Sequence, residues 1–298
     1  MLPFRVATTV IAAISSVIVT GLFVSYSAVI AVAGETPAED KSVKTVLHAD
    51  LAGQVNPEGL MLSAGAYRRW NGKMDAAFDM PSSYFQTGFG LSVSPAYAKA
   101  AMHAEWQPAL FATFRLEYDV YRFFGQYGAL LSMPSADSKF GKGDVQALEG
   151  REEKAWGQRT LFQPTLSAKA GPVIIRNQTD LAYYRFSGIG PYFLDWEYDT
   201  LLKDNDFVAA NRTQFLVKAW QGTGAASLFA GPYYEITHAV RADINRQRVG
   251  GLLYWVPADK LGESDRPRVY SQFGMNVQDR NRNGELYLIL GVGFDVDL

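Results

Sequence analysis

Cysteine is absent from the 298 residues, which excludes disulfide frameworks, thiolate metal sites and cysteine nucleophiles together. Histidine is almost as scarce: His48, His103 and His238 are the only imidazoles, so bases for nucleophilic catalysis are few. There is no excess of charge of one sign. With 28 Lys and Arg against 30 Asp and Glu, nucleic acid is not expected as a partner. Beyond residue 33 no apolar run approaches the ~18 residues of a membrane-crossing helix. No cofactor is called for by any of these residues. Absence of cysteine also suits a chain that crosses an oxidising compartment.

What is present is an apolar content of 48% whose mean hydropathy is nevertheless −0.07, because polar residues are interleaved throughout. The one undiluted apolar stretch follows Arg5 and runs from Val6 to Ala33. Ala31-Val32-Ala33 before Gly34 has the small-x-small form of a signal-peptidase site, so residues 1–33 are expected to be a signal peptide. A retained membrane anchor is the rival reading, because the stretch exceeds the usual ~7–15 residues.

Downstream, apolar and polar residues alternate with period two. "YFQTGFGLSV" sets Phe85, Phe89, Leu91 and Val93 against Gln86, Gly88, Gly90 and Ser92. "LFATFRLEYDVY" sets Leu110, Phe114, Leu116, Tyr118 and Val120 against Thr113, Arg115, Glu117 and Asp119. "VYSQFGMNV" and "ELYLILGVGFDVDL" repeat the pattern, the latter with Leu286, Leu288, Leu290, Val292, Phe294, Val296 and Leu298 on one face. Period two means strands with one apolar and one polar face. Segments of about ten such residues separated by turns are the mark of a membrane-spanning β-barrel.

Tracing strands backward predicts an all-β, transmembrane, antiparallel up-and-down barrel of about twelve strands, within a range of about ten to fourteen. Residues 59–298 form the barrel in this reading. Residues 34–58, which contain "TVLHADLAGQ", are a periplasmic lead-in or an extra strand. "YGALLS" is taken as a strand, followed by an outer loop from Pro134 to Gln158; further outer loops run from Phe186 to Asp206 and through "THAVRADINRQR". The C-terminal stretch resembles the targeting signal of bacterial outer-membrane barrel proteins, in which alternating apolar residues end on a large one; Leu298 stands where an aromatic is usual. The resemblance is to a structural class. It implies outer-membrane lipid, lipopolysaccharide and the barrel-assembly machinery as partners.

The polar faces should line the lumen. Parity assigns inward Glu105, Arg115, Glu117, Asp119, Arg176, Asp180, Arg212, Lys218, Glu235, Arg248 and Arg268. Both signs occur in similar numbers, which fits a rigid, charge-paired lumen as well as a weakly selective pore. The functions weighed are a passive pore for small polar solutes, a closed structural or surface-interaction barrel, and a lipid hydrolase. The last would need a nucleophile near its base. His103 points inward beside Glu105 with no serine at the next inward position, and His238 lies beside Thr237 with Glu235 close by. "DRNRNGE" has the first half of a calcium loop in Asp279, Asn281 and Asn283. Leu290 stands where the bidentate glutamate belongs, so a hairpin turn and no metal is expected. Finally, Arg241, Arg246, Arg280 and Arg282 cluster in expected outer loops, where they could meet lipopolysaccharide phosphates or anionic solutes.

Overall fold

Alternation carries through into the three-dimensional arrangement. A computed structural model describes residues 43–298, apart from residues 57, 73, 76–79, 82, 128–129, 149, 188, 224–225, 259 and 262–263. The signal peptide or anchor expected at 1–33 lies outside the described residues. No helix among them is long and apolar enough to cross a membrane.

Twelve long strands form the wall: β1 (Val43–Val55), β2 (Gly59–Asn71), β3 (Tyr84–Val93), β4 (Tyr97–Ala109), β5 (Ala112–Phe123), β6 (Trp156–Ala170), β7 (Val173–Ser187), β8 (Asn205–Gln221), β9 (Ser227–Ala239), β10 (Ile244–Val256), β11 (Ser264–Gln278) and β12 (Leu286–Asp297). Each is antiparallel to its neighbours in chain order. The sheet closes where β1 pairs β12, with Val46 opposite Asp297 and Val55 opposite Leu288. Closure leaves no unpaired wall edge, as lipid requires. The protein is therefore a transmembrane antiparallel β-barrel.

Two rims are distinguished by their connections. At the proximal rim, near Val43 and Asp297, β4–β5, β6–β7 and β8–β9 are joined by short turns at 110–111, 171–172 and 222–226. At the distal rim lie the long connections 124–155 and 188–204. The two longest connections thus share one rim, which also carries the short connections 56–58, 94–96 and 240–243; long loops gathered at one end are a feature of outer-membrane barrels. On the outer face, Trp70, Phe85, Trp106, Trp220 and Trp255 ring the proximal end and Trp156, Tyr183, Phe207 and Tyr234 the distal end, all at least about a third exposed. Between them stand exposed Leu62, Leu91, Leu116, Leu166, Leu253, Leu290 and Val292. This is an apolar band between aromatic girdles.

The expected strand number coincides with the observed one, but two segments differ. Thr45–Gln54 belongs to β1, a full wall strand, which resolves the choice between a lead-in and a strand. Tyr127–Ser132 is no wall strand. Tyr127 and Leu130 take left-handed backbone (φ 59° and 56°), Leu130 and Leu131 are fully buried, and only Ser132–Met133 pairs, with Tyr192 and Phe193. Consecutive apolar residues there fill a core and do not alternate across a wall. Two further expected loops are shorter than drawn. "THAVRADINRQR" is reduced to a turn at 240–243 between β9 and β10, and Trp156–Gln158 already belong to β6.

Closeness of approach fixes some positions. Gly250 of β10 faces Gly274 of β11, and a Cβ on either would fall 2.0–2.1 Å from a carbonyl oxygen across the ladder, that of Phe273 or Val249. Gly250→Ala must push the two strands apart, at a cost on the order of 1–3 kcal/mol. It is expected to lower the temperature at which the folded band converts to the slower unfolded band on SDS gels.

Candidate functional site: the clasped plug in the lumen

The distal connections fold inward. Tyr192–Asp195 and Thr200–Lys203 form a small hairpin, joined on its outer edge by Ser132–Met133. Its apolar side, with Phe193, Leu194, Leu201 and Leu202, is buried against Leu130, Leu131, Met133 and Phe140 from the other loop. The wall meets this core with Tyr97, Tyr121, Phe123, Tyr184, Phe186 and Val208. A short helix, Lys142–Ala147, covers it with Val145. The distal lumen is consequently dry: Asp119, Ala182, Tyr184, Val208 and Ala239 are fully buried.

The hairpin tip, "DWEYD", carries three acids. Asp195 Oδ2 accepts the Tyr198 backbone N–H at 2.7 Å, and Asp199 adopts φ 47°, a left-handed conformation that aspartate tolerates. This turn aims Glu197 and Asp199 at opposite walls. Glu197 is held by Lys99 of β4 at 3.0 Å, by Arg159 of β6, and by the Tyr121 hydroxyl, which donates at 3.2 Å. Arg159 also bonds Asp119 (2.6 Å) and Glu117 (2.9 Å), and Arg115 joins Glu117 to Glu105. Asp199 is met by three guanidiniums: Arg248 at 2.5 Å, Arg282 at 3.3 Å and Arg246 at 3.6 Å. Arg246 continues to Glu235, which accepts from Arg212, which reaches Asp180 at 2.9 Å. Tyr198 donates to Asp180 from above. Glu117, Asp119, Asp180, Glu197, Asp199 and Glu235 therefore each have a cationic partner, the condition under which such groups are tolerated.

Where the hairpin leaves for the wall, Asp206 is fully buried and, among the described residues, has no cation in an ion pair. It accepts instead four backbone N–H groups, those of Lys203, Phe207, Arg241 and Ala242. Burial works to raise the Glu197 carboxyl, but Arg159 and Lys99 more than offset it and hold it at about 2. Asp195 lacks such partners. Burial, reinforced by the charge of Glu197, pushes it up to about 7.

Of the residues expected to line the lumen, Glu105, Arg115, Glu117, Asp119, Asp180, Arg212, Glu235 and Arg248 take part in the network just described. Arg268 lies nearer the proximal rim, against Asp50 at 3.2 Å and Asp295 at 3.3 Å, with His48 also on Asp295. Arg176 is exposed and bonds Gln178; among the described residues no carboxylate lies within ion-pair distance of it. Lys218 pairs across the ladder with Phe229, just before a register shift, and is exposed near the proximal rim, bonded to Gln221.

The four arginines expected to reach outward separate into pairs. Arg246 and Arg282 are 2% exposed and consumed by Asp199 and its neighbours, so they do not face lipopolysaccharide. Arg246 stands in β10 with its charge turned inward, and Arg282 reaches inward from the turn between β11 and β12. Arg241 stays exposed, bonded to the Asn205 carbonyl, and Arg280 pairs with Asp137 of the long loop at 2.7 Å. The hydrolase cluster drawn around His238 is not assembled. Thr237 and Glu235 face the lumen arginines, and His238, one residue on, points to the opposite side. His103 lies across from Glu117 with its Nε2 buried and unbonded. Asp279 spends its Oδ1 on the backbone N–H groups of Asn281 and Arg282, as a turn does. Among the described residues no acid or histidine cluster is shaped for a metal.

Sequence reasoning missed Lys99, Arg159, Asp195, Glu197, Asp199 and Asp206. The available signal was "DWEYD": three carboxylates among aromatics in a loop, a pattern at odds with simple solvation.

No protein-family model and no curated protein matches the chain. Among solved structures it is similar to the β-domain of the Bordetella autotransporter BrkA (10% identity, TM-score 0.39, 85% of this chain and 99% of that one). It is also similar to an outer-membrane channel from Pseudomonas putida F1 (10%, 0.39, 89% and 100%) and to the translocator domain of the autotransporter NalP from Neisseria meningitidis (10%, 0.36, 96% and 97%).

Proposed function

We propose that the chain is a passive pore for small polar solutes in a bacterial outer membrane, in its shut state. One observation carries this reading: a dry distal plug is fastened by ion pairs above a proximal lumen whose charged side chains meet water. Arg115 and Arg212 retain 28% and 30% of their side-chain exposure, whereas Asp199 of the plug tip and Arg159, which binds the tip, retain 3% and 5%. Among the described residues the hairpin is laddered only to Ser132–Met133 of the other loop and not to the wall strands, so the two loops can leave together without unfolding the barrel. The second reading, a permanently closed structural or surface-interaction barrel, is favoured by the apolar core that the two loops share. Single-channel recording of the full chain in a planar bilayer separates them. Brief discrete steps that scale with salt support the pore, and silence from protein shown to be inserted supports the closed barrel.

A pH dependence follows from two of the three tip acids, Asp195 and Glu197. The seated plug favours protonated Asp195, whose carboxyl stands near 7 against an ordinary value near 4. Seating therefore strengthens as pH falls through about 7, and that gain disappears above it. Glu197, held near 2, contributes fully above its ordinary range and fades as pH drops toward 2. Open probability is expected to fall about ten- to hundredfold from pH 8 to pH 5 and to rise again below about pH 4. Asp195→Asn should flatten the upper limb and leave the lower one.

A further inference from the structure

A concavity of about 670 Å³ lies in the outer face of the wall, across β1 to β5. That is within the range of about 300–1,000 Å³ of small-molecule sites. Its floor is one row of directly paired residues, Thr45, Arg68, Thr87, Ala104 and Leu116. Gly88 and His103, paired one residue further along on the inner side, back this floor. On the distal side the edge is formed by Phe89 and Met102, which project with 64% and 63% exposure. Toward the proximal rim the next outward row is Trp70, Phe85, Trp106 and Phe114, part of the girdle, with Trp70 stacked on Phe85 and Trp106 close to Phe114.

Arg68 makes this more than a dent. It is an exposed cation on the lipid side, one outward step inside the girdle, or about 7 Å at ~3.4 Å per residue. Among the described residues no carboxylate pairs with it, and its guanidinium lies 5.9 Å from the Trp70 ring centre. Unpaired arginine on a barrel's lipid face is destabilising unless it reaches an interface and an anion. The groove is apolar where a chain would lie and cationic where a headgroup would be.

We propose that this groove is a binding site for one phospholipid of the proximal leaflet, with an acyl chain lying over Ala66, Thr87 and Ala104 and the phosphate on Arg68. Apolar depth receives the chain, and the Arg68 fork donates charge-assisted hydrogen bonds to phosphate oxygens. The site is independent of the lumen and its plug.

The test is native mass spectrometry of the full chain in detergent after incubation with phosphatidylglycerol. Wild type, Ala104→Leu, Thr87→Leu and Arg68→Gln are compared. Both leucines are placed on the outer face, away from the packed lumen, and the heat-modified gel band reports whether each variant is folded. Wild type is expected to retain a single phospholipid, the leucine variants to lose it, and Arg68→Gln to bind at least about tenfold more weakly, the scale of one charged hydrogen-bonded partner. Three results overturn the proposal: no phospholipid retained by folded wild type, retention unchanged by Arg68→Gln, or a second copy of the chain occupying this face in place of lipid.

Discussion

Asp199→Asn is expected to turn a mostly quiet barrel into one that conducts for much of a recording. Asparagine keeps the shape of the side chain and removes the charge that Arg246, Arg248 and Arg282 share. Those guanidiniums are nearly out of contact with water, at 2%, 8% and 3% side-chain exposure. Arg246 keeps Glu235. Among the described residues Arg248 then keeps the Asn276 amide oxygen at 2.9 Å and Arg282 that of Asn56 at 3.1 Å, and neither keeps a carboxylate. Breaking a buried ion pair from one side costs about 3–5 kcal/mol, because the surviving charge stays desolvated. Release of the hairpin lets water reach the three cations, so the whole cost acts on the balance between seated and released plug. At about 1.4 kcal/mol per decade this is a shift on the order of 10² to 10³. The wall ladders do not involve Asp199, so the heat-modified gel band should convert at an unchanged temperature. Adding Arg282→Met removes one surplus cation and should restore part of the closure. Should Asp199→Asn stay silent when inserted, ion pairing would not be what holds the lumen shut.

How far this could be read from sequence differs between wall and plug. The wall was legible because lipid on one side and charge on the other impose period two; β12 shows it without interruption, and Thr87 in β3 and Ser271 in β11 break the outward face of those strands at one position each. β1 was ambiguous for a physical reason: its outward residues include Thr45, Ala49 and Gly53, too small to mark an apolar face. Tyr127–Ser132 erred the other way, since apolar residues that fill a loop core look like a strand when only their hydrophobicity is counted. The two deviations cancel in the strand number. Lumen charges followed from parity alone, because parity fixes which face a strand residue takes. Their partners did not. Glu197 and Asp199 reach Arg159, Arg246 and Arg282 only through the path of the 188–204 connection, and nothing local encodes that path. The same limit misassigned Arg246 and Arg282, whose charge suggested solvent when their partners lay inside the barrel.

Arg159→Met is expected to damage the barrel itself. Arg159 is the one residue that links two wall carboxylates to the plug: its Nε donates to Asp119, one terminal nitrogen to Glu117 and the other to Glu197. Methionine approximates its length and loses every donor. Glu117 retains Arg115, and Glu197 retains Lys99 and the Tyr121 hydroxyl. Asp119 is the exposed weakness, being fully buried with no other cation in an ion pair among the described residues. An uncompensated carboxylate there costs about 3–5 kcal/mol, and it must either take up a proton or draw water into the dry distal core. Because Asp119 sits in β5 opposite Arg159 in β6, the cost falls on the wall as well as on the hairpin. Both readouts should therefore move. Conductance should appear, as for Asp199→Asn, and the folded gel band should convert at a distinctly lower temperature, which Asp199→Asn leaves alone. Adding Asp119→Asn removes the stranded charge and is expected to recover most of the lost thermal stability while the plug stays loosened, because Glu197 is still short of its guanidinium. Recovery of neither property would mean that Arg159 acts through its packing between Tyr121 and Tyr184, whose ring centres lie 5.8 and 6.0 Å from the guanidinium, and not through its charge.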